Sequence, residues 1–152
     1  MPKVEVKKVI PGEVEEVYRI CRDISSFPRF MQNVKKIEVL ERGPDWQLTA
    51  WEAVLQGRTF RWKEREEFDD HSPAIRYRQV EGDLKQFEGE WRFSPADGGT
   101  EVTLTCEFAL GIPLLEPVLH PLATVAVRQN VEAMLAALEK RMRAQEGFAT
   151  AD

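Results

Sequence analysis

Cysteine and histidine are both scarce in this chain of 152 residues, with two of each. Cys21 and Cys106 stand far apart, without a C-x-x-C spacing or neighbouring histidines, which excludes the usual donor sets of zinc sites and redox pairs. Both are expected as buried free thiols. His71 falls in a turn-forming stretch and His120 directly before Pro121, so no group of ligands gathers, and neither metal nor cofactor is expected. A basic excess is missing as well: 21 Lys and Arg against 26 Asp and Glu give a net charge of -5. That field opposes phosphate backbones and anionic membrane surfaces, and no nucleic acid partner is expected. Long uninterrupted apolar runs are absent too. The longest candidate, IPLLEPVLHPLATVAV, is broken by three prolines, a Glu and a His, which leaves no membrane span. The opening MPKVEVKKVI lacks the apolar block of a signal peptide, so the expected location is cytoplasmic. No nucleophile elbow or phosphate-cradling glycine loop occurs.

What is present suits one globular domain. Hydrophobic residues make up 43% and charged residues 31%, away from disordered composition. Residues 1–143 are expected as a single ligand-binding domain and 144–152 as a flexible C-terminal tail. A β-type run over residues 3–10 is stopped by Pro11-Gly12, and Val14, Val17, Tyr18 and Cys21 then recur at helical spacing. A second short helix is predicted from Ser25 to Met31, capped by Ser25 or Ser26, with Phe27, Phe30 and Met31 on one side. From residue 34 onward, turn signals such as RGPD, DDHSP, EGD and PADGG separate about six strands joined by short connectors, which implies antiparallel hairpins. Pro113 and Pro117 fall in an irregular lead-in. His120-Pro121 then starts a last helix running to about Arg143, with Leu122, Val127, Val131, Met134, Leu135 and Leu138 as its apolar stripe.

Side chains alternate across a strand, so one inward residue fixes its neighbours' facing until a bulge intervenes. In KQFEGEWRF, Phe87, Gly89, Trp91 and Phe93 face inward, and Glu88, Glu90 and Arg92 face solvent. In RTFRWKEREEF the same rule gives a different outcome, because inward Phe60, Trp62 and Phe68 carry Glu64 and Glu66 inward with them. An ionised carboxylate is costly to bury alone. The two acids are therefore paired with Arg128 or Arg19, turned out by a bulge, or left hydrated or protonated in a cavity. In AIRYRQVE, Ile75, Tyr77, Gln79 and Glu81 share one face. EVTLTCEFAL supplies an almost purely apolar wall through Val102, Leu104, Cys106, Phe108 and Leu110. Trp46 and Trp51 have opposite parity in WQLTAWEAVL, which leaves the facing of residues 46–55 open.

The stretches PGEVEEVYRICRDISSFPRFMQNVKKIEVLE and IRYRQVEGDLKQFEGEWRFSPADGGTEVTLTCEFAL, in this order of elements, resemble the helix-grip proteins. That group comprises START lipid-transfer domains, polyketide cyclase/dehydrases and coenzyme Q-binding proteins, and the second stretch is most similar to bacterial aromatase/cyclases. The resemblance implies an α+β helix-grip (START-like) fold, with a curved antiparallel sheet of about seven strands wrapped around a long C-terminal helix and two short helices after the first strand. It also implies a deep cavity for a hydrophobic small molecule, entered near the short helices and the strand-connecting loops. Phe27, Phe30, Met31, Phe60, Trp62, Tyr77, Gln79, Phe87, Trp91, Leu122, Val127 and Val131 are the candidate ligand-binding residues, and Glu64 and Glu66 the candidate catalytic acids. Aromatase/cyclases carry a tryptophan followed by an inward arginine on the strand matching RTFRWKEREEF. Trp62 fits, whereas the inward positions here are Glu64 and Glu66. The expected function is binding of a polyketide-like or other apolar molecule, with cyclisation or dehydration as its catalytic extension. The alternatives are a non-catalytic carrier for a quinone or isoprenoid lipid and a protein-interaction module of the same fold.

Overall fold

The computed structural model of the protein describes residues 2–112 and 114–150, the last five by their backbone. Strand β1 (Lys3–Ile10) leads through Pro11-Gly12 into helix α1 (Val14–Arg22) and a 3-10 helix (Ile24–Arg29). Strands β2 (Val34–Arg42), β3 (Trp46–Leu55), β4 (Arg58–Asp69), β5 (Ala74–Gly82), β6 (Gln86–Ala96) and β7 (Gly99–Ala109) follow, and helix α2 (Glu116–Thr150) ends the chain. The strands form one antiparallel sheet in the order β1-β7-β6-β5-β4-β3-β2. The first strand thus pairs with the last, β1 with β7, and α2 lies along the inner face of the curved sheet.

Local chemistry accounts for the elements. Gly12 has φ +119, and a Cβ there would come within 2.7 Å of the Met142 side chain, so only glycine turns the chain this tightly under α2. Glu15 and Glu16 in the first turn of α1 and Arg19 and Arg22 in its last complement the helix dipole, while Val17, Tyr18 and Cys21 are buried. In the 3-10 helix neither serine caps the start as expected. Ser26 Oγ donates back to the Asp23 carbonyl, and Ser25 Oγ to the Asp23 carboxylate. The buried stripe of α2 is Val127, Val131, Met134, Leu135, Leu138 and Met142, spaced by three or four residues as a single helix face requires.

Several expectations need correction. Helix α2 begins at Glu116, one turn before His120-Pro121, and Pro121 lies inside it. Pro117 takes the first turn, where a missing N–H costs little, and the Glu116 carboxylate accepts from the Leu110 and Gly111 N–H groups, both at 3.1 Å. Pro113, placed with it in the lead-in, is outside the described residues. At the other end the helix continues to Thr150, past Arg143, because the Ala-Gln-Glu run after Arg143 has good helix propensity. The expected flexible tail is thus helical up to residue 150, and 151–152 fall outside the described residues. In β5 the register slips at Val80, so Lys63 pairs with Glu81 and Glu64 with Gln79. The bulge turns Glu81 away from the interior, where it meets Lys63 at 3.3 Å.

Strand β3 resolves its ambiguity without a bulge. Gln47, Thr49, Trp51 and Ala53 face inward and are buried. Trp46 faces outward, its ring covered by the Arg65 guanidinium at 4.4 Å, a contact that accommodates a large indole on a wet face.

Candidate functional site

Between the sheet and α2 lies a cavity of about 270 Å³. Two features of the strands leave room for it. Pairing between β5 and β6 stops at Arg78 and Glu88, and beyond that point the Gln79 side-chain amide donates to the carbonyl of Leu84 in the connection between them at 2.6 Å. On α2, Ala123 and Ala126 face the space, where larger side chains would fill it. Exposed Gln56, Arg58, Arg61 and Asp83 border the cavity on the side of the β3–β4 and β5–β6 connections, which marks its mouth. Gln56 at the hairpin tip reaches across to Gln129 of α2 at 2.6 Å.

The candidate residues divide by position. Phe27, Phe60, Trp62, Tyr77, Gln79, Phe87, Trp91, Val127 and Val131 all border the cavity, and so do Glu64 and Glu66. Phe30 and Met31 stand behind that wall. Phe30 packs edge-on against Phe27 at 6.0 Å with the Arg141 guanidinium over its ring, and Met31 is fully buried in the core. Leu122 is 70% exposed and lies outside the cavity. Five residues before Val127, it points about 140° away around the helix at 3.6 residues per turn, so it never belonged to the inward stripe. His120 also lies away from the cavity, on the early turns of α2, with Nε2 at 4.0 Å from Glu116.

Aromatic rings form a continuous lining. Trp91 meets Phe27 at 5.8 Å, Phe27 meets Trp51 at 6.1 Å, and Trp51 stacks on Trp62 at 5.3 Å. Phe87 then joins Trp62 at 5.4 Å to Tyr77 at 5.6 Å. The Tyr77 hydroxyl is already committed: it donates to the Thr105 carbonyl at 2.6 Å. Gly89 makes that possible, since a Cβ there would sit 1.9 Å from the same carbonyl and 2.6 Å from the hydroxyl.

The two carboxyls are the exceptional groups. Glu64 is 3% exposed and Glu66 0%. Neither Arg19 nor Arg128 neutralises them. Both arginines are exposed, and Arg128 donates to the Glu5 carbonyl instead. Glu66 is held by neutral donors: Gln47 Nε2 at 2.8 Å on Oε1, and on Oε2 Thr49 Oγ1 at 2.6 Å and Trp51 Nε1 at 3.3 Å. Glu64 has the Trp62 indole N–H on its Oε1 at 2.7 Å. Burial, then the charge of Glu66 and a hydrogen bond with it, raise the Glu64 carboxyl well above the usual range, and the Trp62 donor opposes them only in part. The surroundings therefore favour the protonated form of Glu64, an acid in an apolar setting. Cys106 also borders the space, and burial pushes its thiol up to about 12, which leaves it an inert wall.

Gln47, Thr49 and Trp51 were missed as site residues because each acts through a cross-strand register, with Gln47 opposite Glu66 and Thr49 opposite Glu64. The available signal was the alternation of Gln47, Thr49, Trp51 and Ala53 once Trp46 is turned outward.

Among the described residues no group of His, Cys, Asp and Glu could hold a metal ion, and no helix is long and apolar enough to cross a membrane.

Residues 10–135 match the family described as polyketide cyclase / dehydrase and lipid transport. The chain is 26% identical over 132 residues to the actinorhodin polyketide synthase bifunctional cyclase/dehydratase of Streptomyces coelicolor, covering 86% of this chain and 42% of that protein. It is 24% identical over 95 residues to the ribosome association toxin RatA of Escherichia coli, covering 62% of this chain and 60% of that one. The chain therefore spans about half the length of these curated relatives. Among solved structures, TTHA0849 from Thermus thermophilus is similar with a TM-score of 0.89 and 35% identity, over 95% of this chain and 99% of that one. The Zhui aromatase/cyclase from a Streptomyces species is similar with a TM-score of 0.85 and 23% identity, over 93% of each.

Proposed function

This chain belongs to the polyketide cyclase/dehydrase and lipid transport family, and from that premise we propose that it binds a compact polycyclic or polyketide-like molecule in its cavity and promotes dehydration or cyclisation there. The observation that carries the reading is the buried Glu64, which borders an aromatic-lined space without a cationic partner. A volume of about 270 Å³ falls just below the usual span of ligand pockets, roughly 300 to 1,000 Å³. That suits a few fused rings and leaves an isoprenoid tail to run out through the mouth.

In the proposed step Glu64 gives its proton to the hydroxyl β to a carbonyl as the C–O bond breaks and water departs. The carboxylate so formed takes the α-proton as the C=C bond forms, and Glu64 is restored. Glu66 keeps the proton on its neighbour, and the aromatic walls hold the rings in the reactive shape.

The test is conversion of β-hydroxy-α-tetralone to α-naphthol, followed by naphthol fluorescence. Glu64→Gln is expected to lower turnover by roughly 10²- to 10⁴-fold. Unchanged turnover in that variant contradicts the catalytic role. Binding of the tetralone with no turnover in the native protein would favour the non-catalytic carrier.

A further inference from the structure

The polarity of the hydrogen-bonding groups in the cavity points to a class of ligand. An indole N–H can only donate, so the Trp62 contact at 2.7 Å fixes Oε1 of Glu64 as an acceptor. Any proton on this carboxyl then sits on the other oxygen, shared with Glu66 until a ligand oxygen takes it. Tyr77 spends its hydroxyl on Thr105 and Gln79 one of its two amide N–H groups on Leu84, so the carboxyl of Glu64 is the acidic donor of the interior. The basic residues bordering the space, Arg58 and Arg61, are exposed at the mouth, and Arg61 is held by Glu52 at 2.9 Å. Inside the mouth, the described lining presents two carboxyl groups and no cation.

We propose that Glu64 determines ligand specificity: oriented by Trp62, it offers an O–H to the carbonyl oxygen of a neutral, planar ligand, while the Glu66 carboxylate beside it excludes anions. This rests on the proposed ligand-binding role of the cavity and names the chemistry of what enters. The arginine expected from the aromatase/cyclase resemblance would attract anionic oxygens. A protonated carboxyl in its place donates to neutral oxygens, and the charge of Glu66 beside it repels carboxylates. An acid kept neutral by an apolar site so that it can donate to a ligand oxygen has precedent in the physical chemistry of buried carboxyls. Trp62 is a positioning residue here, since it acts through Glu64.

Four probes sharing one ring system separate the possibilities: naphthalene, methyl naphthyl ketone, naphthoate and naphthylmethylamine, each titrated by quenching of the intrinsic tryptophan fluorescence. The ketone is expected to bind roughly threefold to tenfold more tightly than naphthalene, as one added hydrogen bond allows, and naphthoate more weakly than either. Ketone affinity should fall as pH rises and Glu64 loses its proton. Glu64→Gln retains a donor on the outer atom, so it should keep the ketone preference and lose the pH dependence. Trp62→Phe keeps the ring and removes the N–H, and should abolish the preference of ketone over naphthalene. Tighter binding of the amine or the naphthoate than of the ketone overturns the proposal, as does loss of the ketone preference in Glu64→Gln. Four equal affinities overturn it while leaving the cavity's binding role intact, and no binding by any probe overturns both.

Discussion

Strands β4 and β6 carry the same mixture of glutamates and aromatics, and the protein uses them in opposite ways. On β6, Trp91 and Phe93 face the core, which leaves Glu90 on the outer face between Arg92 at 2.7 Å and Arg76 at 3.8 Å. On β4 the acids share the parity of Trp62 and Phe68, so Glu64 and Glu66 enter the interior with only neutral donors for company. Both strands mix acids with aromatics, and parity decides. A carboxylate among arginines at the surface is a solubilising group, whereas one turned among indoles must be satisfied by design or keep its proton.

That contrast can be broken by substitution. Glu66→Ala leaves the Gln47 and Thr49 donors buried without their acceptor, and should cost about 3 kcal/mol in urea unfolding. A loss below about 1 kcal/mol would show that this acid is no more integral than a surface one. Gly89→Ala on the inner face of β6 should cost about 2 kcal/mol, since its Cβ would meet the Thr105 carbonyl at 1.9 Å and displace the Tyr77 hydroxyl. The raised carboxyl of Glu64 gives a pH signature of definite sign. The folded form holds the proton that the unfolded form has lost, so its stability is fully present below the unfolded Glu range. It then declines as pH rises toward the raised folded value. Unfolding at several pH values should show a slope of up to about 1.4 kcal/mol per pH unit above pH ~4.3, absent in Glu64→Gln. The smallest effect belongs to the surface partner: Glu90→Ala should change stability by about 0.5 kcal/mol or less.

Much of this was legible in the residue pattern. The alternation around Phe60, Trp62 and Phe68 placed both acids inside, and the hairpin signals gave the sheet. What escaped depended on contacts distant in sequence. Trp46 faces outward because Arg65 of the neighbouring strand covers it, and nothing local to β3 announces that. The bulge at Val80 appears only when β5 is paired with β4. Leu122 looked like one more member of an apolar helix, but its angular position depends on the spacing to Val127, and in the structure it is exposed. The donors around Glu66 required a cross-strand register, which sequence spacing does not encode.

Side-chain carboxyl NMR of the native protein, with Glu64→Gln and Glu66→Gln used for assignment, goes to the heart of the matter. One member of the inner pair, Glu64, should remain protonated at neutral pH and titrate well above the range of the surface glutamates, and its signal should move when methyl naphthyl ketone is added. Glu64 titrating with the surface glutamates, and indifferent to the ketone, would mean that no protonated acid waits in the cavity.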